Sequence, residues 1–108
     1  MNEELTKIAQ DLQAGNLSPH ILAEYKVKIA GWYSFYSEKA ENIMARRPVV
    51  WNELREAVKS DKSADRAYEG TEDGIELMRL TMLLKRLDKM TSSISSLLRL
   101  KELEARNI

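Results

Sequence analysis

The feature that most constrains this 108-residue chain is its second half, which contains no proline from Ser63 to Arg106. Apolar residues recur there at intervals of three, four or seven, with a threonine in the widest gap: Leu77, Leu80, Leu84, Leu87, Thr91, Ile94 and Leu98. Side chains with this spacing stay on one side of an α-helix, and we call them the leucine stripe. The pattern predicts one very long amphipathic helix whose stripe needs a covering surface.

Two glycines leave an alternative open within this helix. Gly70 and Gly74 flank an acidic stretch, and Thr71 between them could cap a new helix and so divide the long one. Small residues at the same positions would also suit close packing of one unbroken helix. We expect the unbroken helix, with the division at Gly70 to Gly74 as the alternative.

The first half predicts shorter elements. Asn2–Ala14 has apolar residues at helical spacing, and Gly15 can close that helix in the left-handed conformation. Ser18–Pro19 is typical of a helix start, because serine caps and proline suits the first position. We expect the second helix to end at about Arg46, because Pro48 disfavours helical backbone before it. A short third helix would follow.

These elements predict an all-α fold, a helical hairpin or bundle in a single domain over residues 1–108. It would have a short N-terminal helix and one very long C-terminal helix. A helix of about 44 residues is about 66 Å long, whereas one of about 28 residues spans about 42 Å, so the second cannot cover the first. We therefore expect a homo-oligomer with coiled-coil contacts, and favour a dimer. The alternative is a compact monomer with a broken long helix.

Composition excludes several classes. Seventeen basic and seventeen acidic residues cancel, so no net field draws the molecule to nucleic acid or an anionic membrane. The absence of cysteine removes disulfides, thiolate zinc sites and cysteine nucleophiles. No apolar run approaches the roughly 20 residues that span a bilayer, and the acidic start is unlike a signal peptide. We expect a cytoplasmic protein without membrane association.

The sequence has few candidate catalytic residues. The single histidine, His20, lies beside the helix-opening proline and is expected to face solvent. Acids at Asp61, Asp65, Glu69 and Asp73 follow one another at four-residue spacing, but acids near a helix start are explained by the helix dipole. The one enzyme alternative is a metal site built from acidic pairs on facing helices. Its candidates are Glu38 with Glu41, Glu53 with Glu56, Glu69 with Glu72 and Asp73 with Glu76. We predict no enzyme, no metal and no cofactor.

The far end of the long helix is basic, with six cations against Asp88 alone between Arg79 and Lys101. The helix dipole accounts for part of this segregation. Several of the cations share outer helix faces and could, with two arginines of the second helix, contact phosphates. The candidate residues for nucleic-acid or partner binding are Arg46, Arg47, Arg79, Lys85, Arg86, Lys89 and Arg99.

Two further features indicate a partner surface. The second helix has a main apolar stripe at helical spacing, which Ile21 and Phe35 widen: Leu22, Tyr25, Ile29, Trp32, Tyr36, Ala40 and Ile43. Tyr33 lies off this stripe, so it is the best candidate for an exposed aromatic anchor. The serine-rich run from Thr91 to Ser96 would let another helix approach closely, as a crossing or dimer contact. An exposed polar turn of helix is the alternative for that run.

The last 45 residues or so resemble the small helical-hairpin proteins encoded in bacteriophage recombination and replication modules. The resemblance is carried by Ser63–Tyr68, Thr71, Gly74, Glu76, Leu84–Met90 and Ile94–Leu98. It implies a phage accessory protein that acts by binding in the host cytoplasm, with no catalytic residues to carry over.

The leading hypothesis is therefore a non-enzymatic, self-associating helical protein that binds a protein or a protein–DNA complex. The alternatives are a direct nucleic-acid binder and an inhibitor of a host nuclease or defence complex. The inhibitor would use the acidic face from Asp61 to Glu76 to mimic DNA.

Overall fold

The computed structural model describes residues 2–107, and this range folds into four α-helices. They are α1 (Asn2–Ala14), α2 (Pro19–Ala57), α3 (Asp61–Glu69) and α4 (Glu72–Arg106). The all-α class, the short first helix and the long last helix are confirmed. Residues 1 and 108 of the predicted domain lie outside the described range.

The helices contribute to two compact units. The terminal unit comprises the described residues of Met1–Tyr33 and Arg86–Ile108, and the central unit is Ser34–Lys85. Helices α2 and α4 each supply residues to both units. The single domain over residues 1–108 stays a prediction.

The terminal unit is built from α1, the first part of α2 and the last part of α4. Its most deeply buried side chains are Leu5, Ile8, Leu22, Ile29, Leu87 and Ile94, each at most 2% exposed. Full burial of one such side chain stabilises a fold by about 1.5–3 kcal/mol. The Tyr25 hydroxyl also donates a hydrogen bond of 2.6 Å to the Asp11 carboxylate, which joins α2 to α1. The predicted apolar spacing of all three segments is confirmed here.

The connection between α1 and α2 follows the predicted chemistry. Gly15 has a φ of +70°, and its N–H donates to the Asp11 carbonyl at 3.3 Å. The Ser18 hydroxyl accepts a hydrogen bond of 3.3 Å from the N–H of Ile21, and α2 begins at Pro19. Left-handed glycine closes the first helix, and serine caps the second.

The central unit has its own apolar core. Ala40, Ile43 and Leu80 are buried together, and three half-buried residues pack against them: Tyr36, Leu77 and Leu84. Helix α3 adds the buried Ala64 and Tyr68. The leucine stripe and the apolar stripe of α2 are thus confirmed in this unit. Phe35, expected to widen the α2 stripe, is instead 53% exposed.

The predicted helix end at Pro48 is wrong. Helix α2 continues through this residue to Ala57. Proline removes one helical hydrogen bond and crowds the preceding turn, at about 3 kcal/mol. Tertiary contacts on both sides of Pro48 favour the continued helix. Arg46 before it bonds to Asp73 of α4, and Trp51 and Arg55 after it bond to Asp65 and Asp61 of α3. No separate third helix begins at Val49 within the described range.

The expected unbroken helix from Ser63 to Arg106 is also wrong, because α3 ends at Glu69 and α4 starts at Glu72. The Thr71 hydroxyl donates to the Tyr68 carbonyl at 2.6 Å and accepts from the N–H of Gly74 at 3.1 Å. Thr71 therefore caps α4, as the alternative stated. Ser60 caps α3, because its hydroxyl accepts a hydrogen bond of 3.1 Å from the N–H of Ser63.

Candidate interaction surface

Acids of α3 and α4 bond to α2 within the central unit, in an arrangement that we call the polar ladder. Its contacts are Arg55 Nε to Asp61 at 2.7 Å, Trp51 Nε1 to Asp65 at 2.8 Å, and Arg46 to Asp73 at 2.7 and 2.8 Å. The two bonds of Arg46 are a bidentate guanidinium–carboxylate pair. The pKa of Asp73 is lowered, chiefly by the hydrogen bond from Arg46. These three acids thus bond to α2, and the predicted row of acids at four-residue spacing is divided by the break between α3 and α4.

Arg47 is also engaged. Its guanidinium lies 3.6 Å from the Asp65 carboxylate and 4.9 Å from the centre of the Tyr68 ring. An arginine over an aromatic face gains a favourable cation–π interaction. Two of the predicted binding residues, Arg46 and Arg47, thus have acidic partners inside the central unit.

Next to Arg47 the central unit has an open groove of about 470 Å³, which we call the methionine groove. Its apolar lining comes from Tyr68, Leu77, Met78 and Met82. The polar residues that line it are Arg47, Glu69, Thr81 and Lys85. The groove is therefore an apolar surface with two cations and one acid among its lining residues.

The outer side of α4 at this groove exposes apolar side chains. Ile75, Met78 and Met82, which we call the methionine stripe, are 41%, 59% and 65% exposed. Their spacing of three and four residues places them on one helix face, beside the leucine stripe. Apolar residues on one face beside a groove are typical of surfaces that receive a helix. Methionine suits such a surface because its side chain is flexible and polarisable.

The remaining predicted cations lie on α4 and are exposed. Arg79 and Lys85 belong to the central unit, whereas Arg86, Lys89 and Arg99 belong to the terminal unit. None of the five takes part in an ion pair within residues 2–107. Among these five residues, Lys85 lines the methionine groove. The predicted strip thus separates into engaged arginines on α2 and exposed cations on α4.

The terminal unit presents the other predicted features. Tyr33 is 42% exposed, as an anchor would need to be. Ser92, Ser93 and Ser96 line an open cleft of about 560 Å³ together with residues of α1. The small residues of α4 thus face an open cleft beside α1. His20 is exposed in the first turn of α2 and lies 3.1 Å from Glu24, as expected for a solvent-facing residue.

The methionine groove was missed by reasoning from the sequence. A signal was present, since Met78 and Met82 are four residues apart and lie off the leucine stripe. Methionines beside an apolar stripe usually widen a core, so their spacing alone does not separate a buried edge from an exposed one. The deciding information is the position of Tyr68 at the end of α3, which depends on the break before α4.

Within residues 2–107, no three histidine or acidic side chains are grouped so that they could hold a metal ion. No helix among these residues is long and apolar enough to cross a membrane. No protein-family model matches the chain. Comparison with curated proteins and with solved structures finds no match either.

Proposed function

We propose that this protein is a non-enzymatic helical interaction protein that self-associates and binds a further protein or protein–DNA complex. The resemblance to phage helical-hairpin proteins makes a phage accessory role in the host cytoplasm part of the proposal. The single observation that carries it is the methionine groove with its exposed stripe. Met78 and Met82 are more than half exposed beside the buried Leu80, although a folded chain gains by covering such side chains.

Crosslinking from matched positions tests this proposal. Met78 and Met44 are both 59% exposed, but only Met78 lines the groove. A photoreactive residue in place of Met78 should join the protein to a second chain, either another copy or a different protein. The same residue in place of Met44 should give little product. Equal yields at the two positions, or none at either, would contradict a binding role for the groove.

A second candidate function is direct nucleic-acid binding by the exposed cations of α4. It is favoured by one observation, that these five side chains have no ion-pair partner among the described residues. Their affinity for DNA should fall steeply with salt, because each neutralised phosphate releases condensed counterions. Replacing Lys89 and Arg99 by glutamine should flatten that salt dependence. No binding at low salt would exclude this function.

Inhibition of a host nuclease by DNA mimicry has less support. A DNA mimic needs free carboxylates in a regular row. Asp61, Asp65 and Asp73 instead accept hydrogen bonds from α2 in the polar ladder. Competition between this protein and DNA for a purified host nuclease would support the DNA-mimicry hypothesis.

A further inference from the structure

The central unit carries a second exposed helix face, formed by α2. Residues separated by seven positions lie on one side of a helix, as do those three or four apart. Six exposed residues follow this rule in α2: Phe35, Glu38, Asn42, Ala45, Val49 and Asn52. Two of these are large apolar side chains, since Phe35 is 53% and Val49 63% exposed. This exposed face of α2 thus combines large apolar side chains with polar and acidic ones.

Carboxylates dominate the charge of this face. The exposed Glu41, Glu53 and Glu56 add to Glu38 on or beside it. The arginines of the same stretch of α2 turn to the polar ladder and to Tyr68. Lys39 places its ammonium 4.8 Å from the centre of the Phe35 ring. We call this surface the acidic face of α2.

The methionine groove complements that face in charge. Arg79 and Lys85 are exposed near the stripe, one turn to either side of Met82. Opposite charges on two surfaces steer association and fix its register. Lys85, which lines the groove, and Arg79 beside it outnumber Glu69, the one acid in the groove lining, so this side of α4 carries a charge opposite to that of the acidic face.

The acidic face is long enough to receive the methionine stripe. The stripe covers eight residues of helix from Ile75 to Met82, and the acidic face covers eighteen from Phe35 to Asn52. Their lengths are about 10 Å and about 26 Å, so the stripe can lie against the middle of the face. Between its ends the acidic face has the small side chain of Ala45, which lets long methionine side chains approach the helix. Methionine adapts to such a surface with little strain.

We propose that the occupant of the methionine groove is a second copy of this chain, which docks through the acidic face of α2. The inference rests on the proposed function, since it names the surfaces through which the protein self-associates. Because groove and face are different patches, two arrangements follow. The contact is made twice across a twofold axis in an isologous dimer, or it continues head to tail from copy to copy as a heterologous contact.

Charge reversal on each side tests the contact by sedimentation equilibrium over a range of concentrations. Arg79→Glu with Lys85→Glu reverses the charge of the two cations at and beside the groove, and Glu38→Lys with Glu53→Lys reverses the charge of two acids at and beside the acidic face. Each pair should weaken self-association by about 10- to 100-fold, because like charges then meet. All four changes together should restore it, and so should mixing the two double variants. A control with Lys7→Glu and Lys26→Glu, both exposed in the terminal unit, should associate as the unmodified protein does.

The outcomes separate this inference from the proposed function. Loss in both double variants with recovery in the combined one would support the contact, provided that circular dichroism shows an unchanged fold. A reversed variant that associates normally would overturn it, as would a combined variant that stays monomeric. A monomeric unmodified protein that still crosslinks from Met78 to a different protein would overturn the second-copy inference and leave a protein-binding function standing.

Discussion

The junction between α3 and α4 can be tested by a single methyl group. Gly74 is buried in the first turn of α4. A Cβ atom there would lie 2.9 Å from the carbonyl carbon of Tyr68 and from the Cα of Glu69, and closer still to the Tyr68 carbonyl oxygen. All three are backbone atoms, so they cannot move aside as a side chain could. Gly74→Ala should therefore force the junction open.

The change in the free energy of unfolding caused by Gly74→Ala follows from two opposing effects. In a helix without such neighbours, alanine is favoured over glycine by about 1 kcal/mol. Overpacking against a fixed neighbour costs about 1–3 kcal/mol, and backbone neighbours place Gly74 at the upper end. The net loss in the free energy of unfolding should be about 2 kcal/mol, which for a chain of this size lowers the midpoint of thermal unfolding by about 8–16 °C.

Two other glycines provide controls for Gly74→Ala. Gly31 lies inside α2, and a Cβ there would meet nothing within 4 Å among the described residues, so Gly31→Ala should stabilise by about 1 kcal/mol. At Gly70 the nearest atom would be 3.6 Å away, an ordinary contact, so Gly70→Ala should have a small effect. Urea unfolding followed by circular dichroism measures all three. If Gly74→Ala were as stable as the unmodified protein, the close junction described above would be wrong.

Three further predictions concern single polar groups. The Tyr68 hydroxyl is buried without a hydrogen-bond partner among residues 2–107, so Tyr68→Phe should leave stability unchanged or raise it by about 1 kcal/mol in urea unfolding; a clear loss would contradict this. Arg46 holds the pKa of Asp73 below its ordinary value, so the pair stabilises the fold above the ordinary aspartate pKa of about 4 and loses this effect as the pH falls through the lower folded value. The stability difference between the unmodified protein and Asp73→Asn should therefore stay constant from neutral pH down to about 5 and shrink in stronger acid, and a constant difference throughout would refute the pairing. The hydrogen bond to Asp11 raises the pKa of Tyr25, so its contribution is present below the ordinary tyrosine pKa of about 10 and is lost as the pH rises through the raised value. Tyr25→Phe should cost about 1 kcal/mol at neutral pH and almost nothing in strong alkali, as measured by unfolding at each pH.

Much of the fold was predictable because burial follows helical periodicity. Leu22, Ile29 and Ile43 of α2 were expected in the core from their spacing, and all three are buried. Ser18 and Gly15 were expected at helix ends, since both act through local backbone chemistry. Spacing and end chemistry depend only on neighbours in the sequence, so the sequence alone can reveal them.

The two errors in the predicted helix bounds have opposite physical causes. Pro48 should end a helix by its own chemistry, but Arg46 and Arg55 bond to acids 27 and six residues away along the chain. At Thr71 the reverse happened, because a cap divided a segment whose periodicity favoured continuation. The methionine groove depends on the second outcome, since Tyr68 lines it from the end of α3, just before the break at Thr71. It was therefore the least predictable part of the candidate site.

The two proposed functions share Arg79 and Lys85, so changes to these residues alone cannot separate them. Salt can, because the two kinds of contact respond to it differently. Burial of Met78 and Met82 against another chain is driven by the hydrophobic effect, and only the flanking charges are screened. Phosphate binding loses about 0.9 of a logarithmic unit of affinity per contacted phosphate for each tenfold rise in salt. Self-association that persists in high salt but is lost in Met82→Glu would therefore assign these cations to the rim of a protein interface rather than to nucleic acid.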